Sequence, residues 1–173
     1  MPKLVLMRHA KSSWGTPGLA DIDRPLSPRG HRAMPRVMHA LVQGGIFPDH
    51  IICSTALRTR QTLALALASW TADMRIDMTR DAYEADANGL LELARAATSD
   101  DAPQTLAIIG HNTAMEDLAI ALAGPNSDNA ALERIKMKYP TAAVAIFDGE
   151  WSSLKAGGMR LERFIVPRDL PEA

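Results

Sequence analysis

Short apolar runs alternate along this chain with longer stretches in which apolar residues recur every three or four positions, the pattern of strands alternating with amphipathic helices. Strands are expected near 3–8, 49–53, 74–78, 104–109, 142–148 and 159–166, each a short apolar or alternating run bounded by breakers or charges. Ser27-Pro28 reads as an N-cap followed by proline at the first helical position, and the helix it opens should end near Gly44-Gly45. Pro35 falls inside that stretch, and its missing N–H is expected to kink the helix or divide it. A second helix should start near Thr55 and run through Leu63, Leu67 and Trp70, and a third should follow Asp86 through Leu90, Leu91, Leu93 and Ala94. The fourth is the best punctuated. Asn112 can cap it, Glu116 and Asp117 fall in its first turn where the helix dipole favours negative charge, and Gly124-Pro125 closes it. The tail from Pro167 is expected to fray.

Strand alternating with helix implies an α/β chain with a largely parallel sheet covered on both faces. The 173 residues, 47% apolar and 23% charged, fit one domain over 1–173, without repeat, low-complexity tract or linker. A net charge of -1 argues against a nucleic-acid partner, because proteins that live on phosphate contacts carry a basic excess. No apolar run approaches membrane-spanning length, and the stretch before Arg8 is too short for a signal-peptide core, so a cytoplasmic protein with no membrane partner is expected. The one cysteine, Cys53, sits in an apolar run and fits a buried core thiol in a reducing compartment. The nine methionines are scattered as core filler, and Asp100-Asp101 reads as a solvated loop. His31, His39 and His50 show no metal-ligand spacing and are placed on the surface.

Three strand ends carry the chemistry. The run Leu4-Val5-Leu6-Met7 ends in Arg8-His9-Ala10. His50-Ile51-Ile52-Cys53 is followed by Ser54-Thr55-Ala56-Leu57-Arg58, and Leu106-Ala107-Ile108-Ile109-Gly110 ends in His111. In open α/β sheets ligands bind outside the carboxyl ends of the strands, so these residues can meet although far apart in sequence. Arg8 and Arg58 suit a phosphate clamp, since a guanidinium is permanently charged and donates two parallel hydrogen bonds. Arg58 also falls in the first turns of a helix, where free N–H groups favour an anion. Arg60, two residues on, should point away and take a structural or rim role. A neutral histidine whose second nitrogen is held by a hydrogen bond can attack phosphorus, and His9 fits that task. His111, if protonated, would donate to an equatorial phosphoryl oxygen.

These residues resemble the histidine phosphatase superfamily, also called phosphoglycerate-mutase-like, and in particular its SixA-type phosphohistidine phosphatase branch. The carriers are LVLMRHAKSSW, DIDRPLSPRG, ICSTALRTRQT, the LAIIGHN junction with its following helix, and KYPTAAVAIFD. The superfamily's usual residue at position 10 is glycine, and Ala10 is similar to the SixA-type branch. The resemblance implies a three-layer α/β/α sandwich, His9 as the phosphorylated nucleophile, Arg8, Arg58 and His111 as the rest of the phosphate pocket, and no metal or cofactor. Members acting on esters protonate the leaving oxygen with a carboxylate. Glu84 is the candidate here, with Asp21 and Asp23 as alternatives. Asn112 is a candidate phosphate ligand as well as a cap, and Lys11, Ser12 and Trp14 are candidates for the rim.

The function expected is removal of phosphate from a phosphohistidine side chain of a protein partner. Hydrolysis of a small phosphate ester is the alternative, and a module that reads phosphate without turnover is a third. The chain has no long insertion over the strand ends, so an open site is expected, and one that suits a protein side chain.

Overall fold

The computed structural model describes residues 1–172. Its strands are β1 (Lys3–Arg8), β2 (His50–Ser54), β3 (Arg75–Thr79), β4 (Thr105–Gly110), β5 (Val144–Asp148) and β6 (Arg160–Ile165). They form one sheet in the order β3-β2-β4-β1-β5-β6. The pairs β1/β4, β2/β4 and β2/β3 are parallel, while β5 runs antiparallel to both β1 and β6. This is the mostly parallel, doubly covered sheet that the alternating pattern implies.

Helices α1 (Pro28–Gln43) and α2 (Leu57–Ala66) cover one face. The other carries α3 (Arg80–Glu84), α4 (Ala87–Ala97), α5 (Ala114–Leu122) and α6 (Asn129–Met137). The two-residue period of β1 divides its side chains accordingly. Val5 and Met7 join Met34, Val37 and Leu63 on the first face, and Leu4 and Leu6 join Leu90, Met115 and Ile135 on the second. Tyr139 ties the middle of the sheet together. Its hydroxyl donates to the Leu6 carbonyl at 2.6 Å and accepts from the Ala145 N–H at 3.0 Å. Desolvation raises its pKa well above the ordinary phenol value.

Three expectations are corrected and one helix is added. α1 is one continuous helix with Pro35 inside it: Ser27 caps it through the Gly30 N–H, and Ala33, Met34, Val37, Met38 and Leu41 bury one face. Pro35 lies on the exposed face, where water can meet the carbonyl that proline leaves unpaired. The tail does not fray at Pro167. A short helical turn over Pro167–Asp169, an Arg134–Asp169 ion pair and Leu170 packed against the core hold it. His50 is buried, with Nε2 2.7 Å from the Asp77 carboxylate. Finally, α6 occupies a stretch in which the apolar spacing signals no helix; Asp128 caps it through the Ala131 N–H at 2.9 Å. Cys53 is buried as expected, and desolvation pushes its thiol up to about 12.

Candidate active site

β2, β4 and β1 are neighbours in the sheet, so their carboxyl ends deliver Thr55 and Arg58, His111, and Arg8 and His9 to one place. The His9 N–H extends the β1/β4 ladder by one bond, donating to the Gly110 carbonyl at 3.0 Å. The His9 and His111 rings lie 5.4 Å apart between centroids.

His9 is buried, and its Nδ1 is 2.6 Å from the Ala10 carbonyl oxygen. A carbonyl can only accept, so Nδ1 carries the proton and Nε2 presents its lone pair. Burial lowers the pKa of His9 from 6.5 to about 3, with His111, Arg58 and Arg8 adding to the shift against the opposing Ala10 bond. The imidazole is therefore neutral at physiological pH. Ala10 is itself fixed, because its N–H donates to Thr62 Oγ1 at 3.0 Å and the Thr62 hydroxyl donates to the Arg58 carbonyl at 2.7 Å. The next residue is pinned from below: a Cβ on Gly30 would stand 2.2 Å from the Lys11 carbonyl oxygen, which accepts from the Ser27 N–H and hydroxyl.

The Arg58 guanidinium donates to three groups at this site: the Asp21 carbonyl at 2.7 Å, the Asp21 carboxylate at 3.0 Å and His111 Nδ1 at 3.2 Å. A guanidinium cannot accept, so His111 Nδ1 is the acceptor, and Nε2–H donates to Ser54 Oγ at 2.7 Å. Burial, with Arg58 next, lowers the pKa of His111 to about 4, so in the free protein it is a neutral ring. Arg8 donates to the Tyr139 carbonyl at 2.8 Å, and burial lowers its pKa. Arg8 Nε, Arg58 Nε and Thr55 Oγ1 are buried with no partner among the described residues. Unpaired buried polar groups are costly, at about 1–3 kcal/mol each, and an oxyanion is what three such groups at adjoining strand ends can satisfy.

The expected acids separate. Glu84 is exposed, pairs with Arg80 at 2.9 Å, and lines a groove with Asp81, Gly89 and Glu92, outside the contacts of the histidine pair. Its neighbour Tyr83 faces inward instead, with its ring edge-on to His111 at 5.4 Å and its hydroxyl donating to Asp21 at 2.7 Å. Asp21 accepts further from Arg24 at 3.0 Å. The Tyr83 hydrogen bond, then those of Arg58 and Arg24 against desolvation, hold the Asp21 carboxyl at about 2. Asp23 is exposed.

Asn112 stands one residue before Thr113, the N-cap of α5, and still serves its first turn: Oδ1 accepts the Glu116 N–H at 3.2 Å and Nδ2 donates to the Glu116 carboxylate at 2.9 Å. Of the rim residues, Lys11 is exposed and Ser12 is buried against Arg24, 2.5 Å away. The Arg24 guanidinium carbon lies 3.2 Å from the centre of the Trp14 ring, which is 76% exposed. Arg60 is exposed and bonds the Thr55 carbonyl, apart from Arg58. Trp14, Leu19, Asp21, Arg24 and Pro25 line a pocket of about 250 Å3. The sequence does not single out Tyr83, Arg24 or Thr62, although Arg24 lies within the DIDRPLSPRG stretch and Thr62 ends ICSTALRTRQT.

Residues 4–147 match the model of the histidine phosphatase superfamily (branch 1). An uncharacterized protein of Mycobacterium leprae is 34% identical, with 94% of this chain and all of the relative aligned. An uncharacterized chloroplastic protein of Arabidopsis thaliana is 30% identical, over 95% of this chain and 78% of the relative. Among solved structures, an Agrobacterium tumefaciens protein designated a candidate phosphohistidine phosphatase SixA superposes with a TM-score of 0.79 at 27% identity, covering 96% of this chain and 99% of its own.

Proposed function

The chain belongs to the histidine phosphatase superfamily, and from that premise we propose that it is a metal-independent phosphatase that works through a phosphorylated His9 and takes phosphohistidine on a protein as substrate. His9 Nε2 attacks phosphorus while the bond to the leaving group breaks and its electron pair departs with that group. The phosphorylated ring then carries a positive charge, which the Ala10 carbonyl stabilises at Nδ1–H. Arg8 and Arg58 hold the equatorial oxygens. A bound dianion takes over the Arg58 N–H that His111 Nδ1 accepts in the free protein and favours a proton from solvent on that nitrogen, whose N–H then donates to phosphoryl oxygen. Water cleaves the new P–N bond, the phosphoryl group leaves as inorganic phosphate with the protons of that water, and His9 returns to its neutral form.

The observation that carries the substrate class is the placement of the carboxylates: Glu84 pairs with Arg80 outside the site, and Asp21 accepts from Arg58, Arg24 and Tyr83. Asp21, the acid in contact with Arg58, is held at about 2 and is ionised at neutral pH. An alkoxide needs a proton in the transition state, whereas an imidazole protonated at its other nitrogen leaves as a neutral ring. The SixA designation of the Agrobacterium protein agrees with this reading.

The test compares phosphate release from a phosphohistidine protein and from an aryl phosphate, with chelator present, for the native chain and His9→Ala. Release from the protein that disappears in the variant, with a trapped phosphorylated His9 in the native chain, is the expected result. Activity confined to the aryl phosphate turns the reading to small esters, and binding without release turns it to a phosphate-reading module.

A further inference from the structure

We infer that Asp21 is the acceptor that recognises the leaving imidazole of the substrate, holding the N–H of its unphosphorylated ring nitrogen while the P–N bond breaks. The inference deepens the phosphohistidine reading and rests on it. His9 lies buried at the base of the site, so a group leaving in line with its attack departs toward the opening. The Asp21 side chain is half exposed at that opening, and it shares Arg58 with His111.

The carboxylate has capacity to spare. Oδ2 accepts from Arg58 and from the Tyr83 hydroxyl, and Oδ1 accepts from Arg24. Two oxygens offer about four acceptor positions, which leaves one at Oδ1 for an incoming N–H. The adjoining pocket of about 250 Å3, walled by Trp14, Leu19 and Pro25, offers a flat ring apolar and aromatic surface. An anion in this position discriminates by chemistry. It can neither protonate an ester oxygen nor find an N–H on an aryl phosphate, but it favours the protonated ring of a phosphohistidine. When the P–N bond breaks, the electron pair goes to the formerly phosphorylated nitrogen, the proton stays on the other one, and the ring leaves neutral.

The charged and titratable groups facing Asp21 are Arg24 in its own loop, Arg58 from α2, Tyr83 from α3 and His111 after β4. Asp21→Asn removes the charge while keeping the shape. The expected outcome is a loss of kcat/KM on a phosphohistidine peptide that exceeds the loss on p-nitrophenyl phosphate by about ten- to hundredfold, the span of one charge-assisted hydrogen bond. The pH above which turnover declines should also move lower in the variant, and further on phosphohistidine than on the aryl phosphate, because the lost charge sustains His111 for both substrates but the ring proton for phosphohistidine alone. Tyr83→Phe, which removes one donor from Asp21, should raise the acidic limb of the phosphohistidine profile. Equal losses on both substrates would make Asp21 only a positioning residue for Arg58 and overturn the inference. A native chain that releases phosphate from the aryl ester and not from the peptide would instead defeat the phosphohistidine reading, and the inference with it.

Discussion

Gly30→Ala puts a single methyl group where α1 crosses the loop that carries the nucleophile. The added Cβ would stand 2.2 Å from the Lys11 carbonyl oxygen and 3.0 Å from the Lys11 nitrogen, both backbone atoms that no rotamer can move. The closer approach is roughly 1 Å short of an ordinary non-bonded contact. Either α1 or the segment from His9 to Ser12 must shift by that amount, and the loop is the thinner of the two. Overpacking of this kind destabilises by about 1–3 kcal/mol, and about 2 kcal/mol lowers the melting midpoint of a domain this size by roughly 4–8 °C. The kinetic effect should be larger, since about 1 Å of misplacement at a reacting group costs on the order of a hundredfold in rate. Gly124→Ala supplies the control: its Cβ would meet the Gly157 carbonyl oxygen at 2.4 Å, in a groove bordered by Met1 and Asp148 at the other end of the sheet. Melting curves and kcat for phosphate release should show both variants destabilised but only Gly30→Ala slow. Equal kcat in the two variants would refute the claim that this contact sets the position of His9.

Thr62→Val keeps the shape of a fully buried side chain and strands the Ala10 N–H, so it should cost about 1–3 kcal/mol in a denaturant titration and lower kcat by freeing the carbonyl that orients His9; unchanged stability would show that the bond is replaced. Acid stability gives a further check. The folded pKa values of His9 and His111, about 3 and about 4, lie below the unfolded value of 6.5, so their contribution is fully present above pH 6.5 and is lost as the pH falls from there through 4 and 3. Each histidine steepens the fall by up to about 1.4 kcal/mol per pH unit in that window. His9→Gln combined with His111→Gln should flatten the slope of unfolding free energy between pH 6.5 and 4.5. A slope equal to that of the native chain would mean that neither ring is buried neutral.

The sheet and the arginine-histidine cluster were legible because both rest on local rules. An apolar run followed by Arg8-His9 or by His111 marks a strand and its carboxyl end without any tertiary information, and parallel neighbours bring such ends together whatever the loops do. The division of α1 at Pro35 and the fraying of the tail were misread for the opposite reason. A continuous buried face in α1 outweighs one missing hydrogen bond, and Leu170 and Asp169 find partners on residues distant in sequence. α6 lacked a clear stripe, with only Ala131 and Ile135 buried along it.

The protonation states were beyond sequence altogether, and they decide the chemistry. The sequence leaves the charge of His111 open, and the Arg58 N–H donated to its Nδ1 makes the ring neutral in the free protein. The acid turns on a rotation of one residue. On the short α3 helix Tyr83 and Glu84 are adjacent, so about 100° of helical turn separates their side chains and only one can face His111. Tyr83 takes that place and Glu84 pairs with Arg80 outside. With Tyr83 inward, the site gains a donor that keeps Asp21 ionised in place of a carboxylic acid that could deliver a proton. The site is left with an anion at its mouth in place of that acid. That favours a leaving group which brings its own proton.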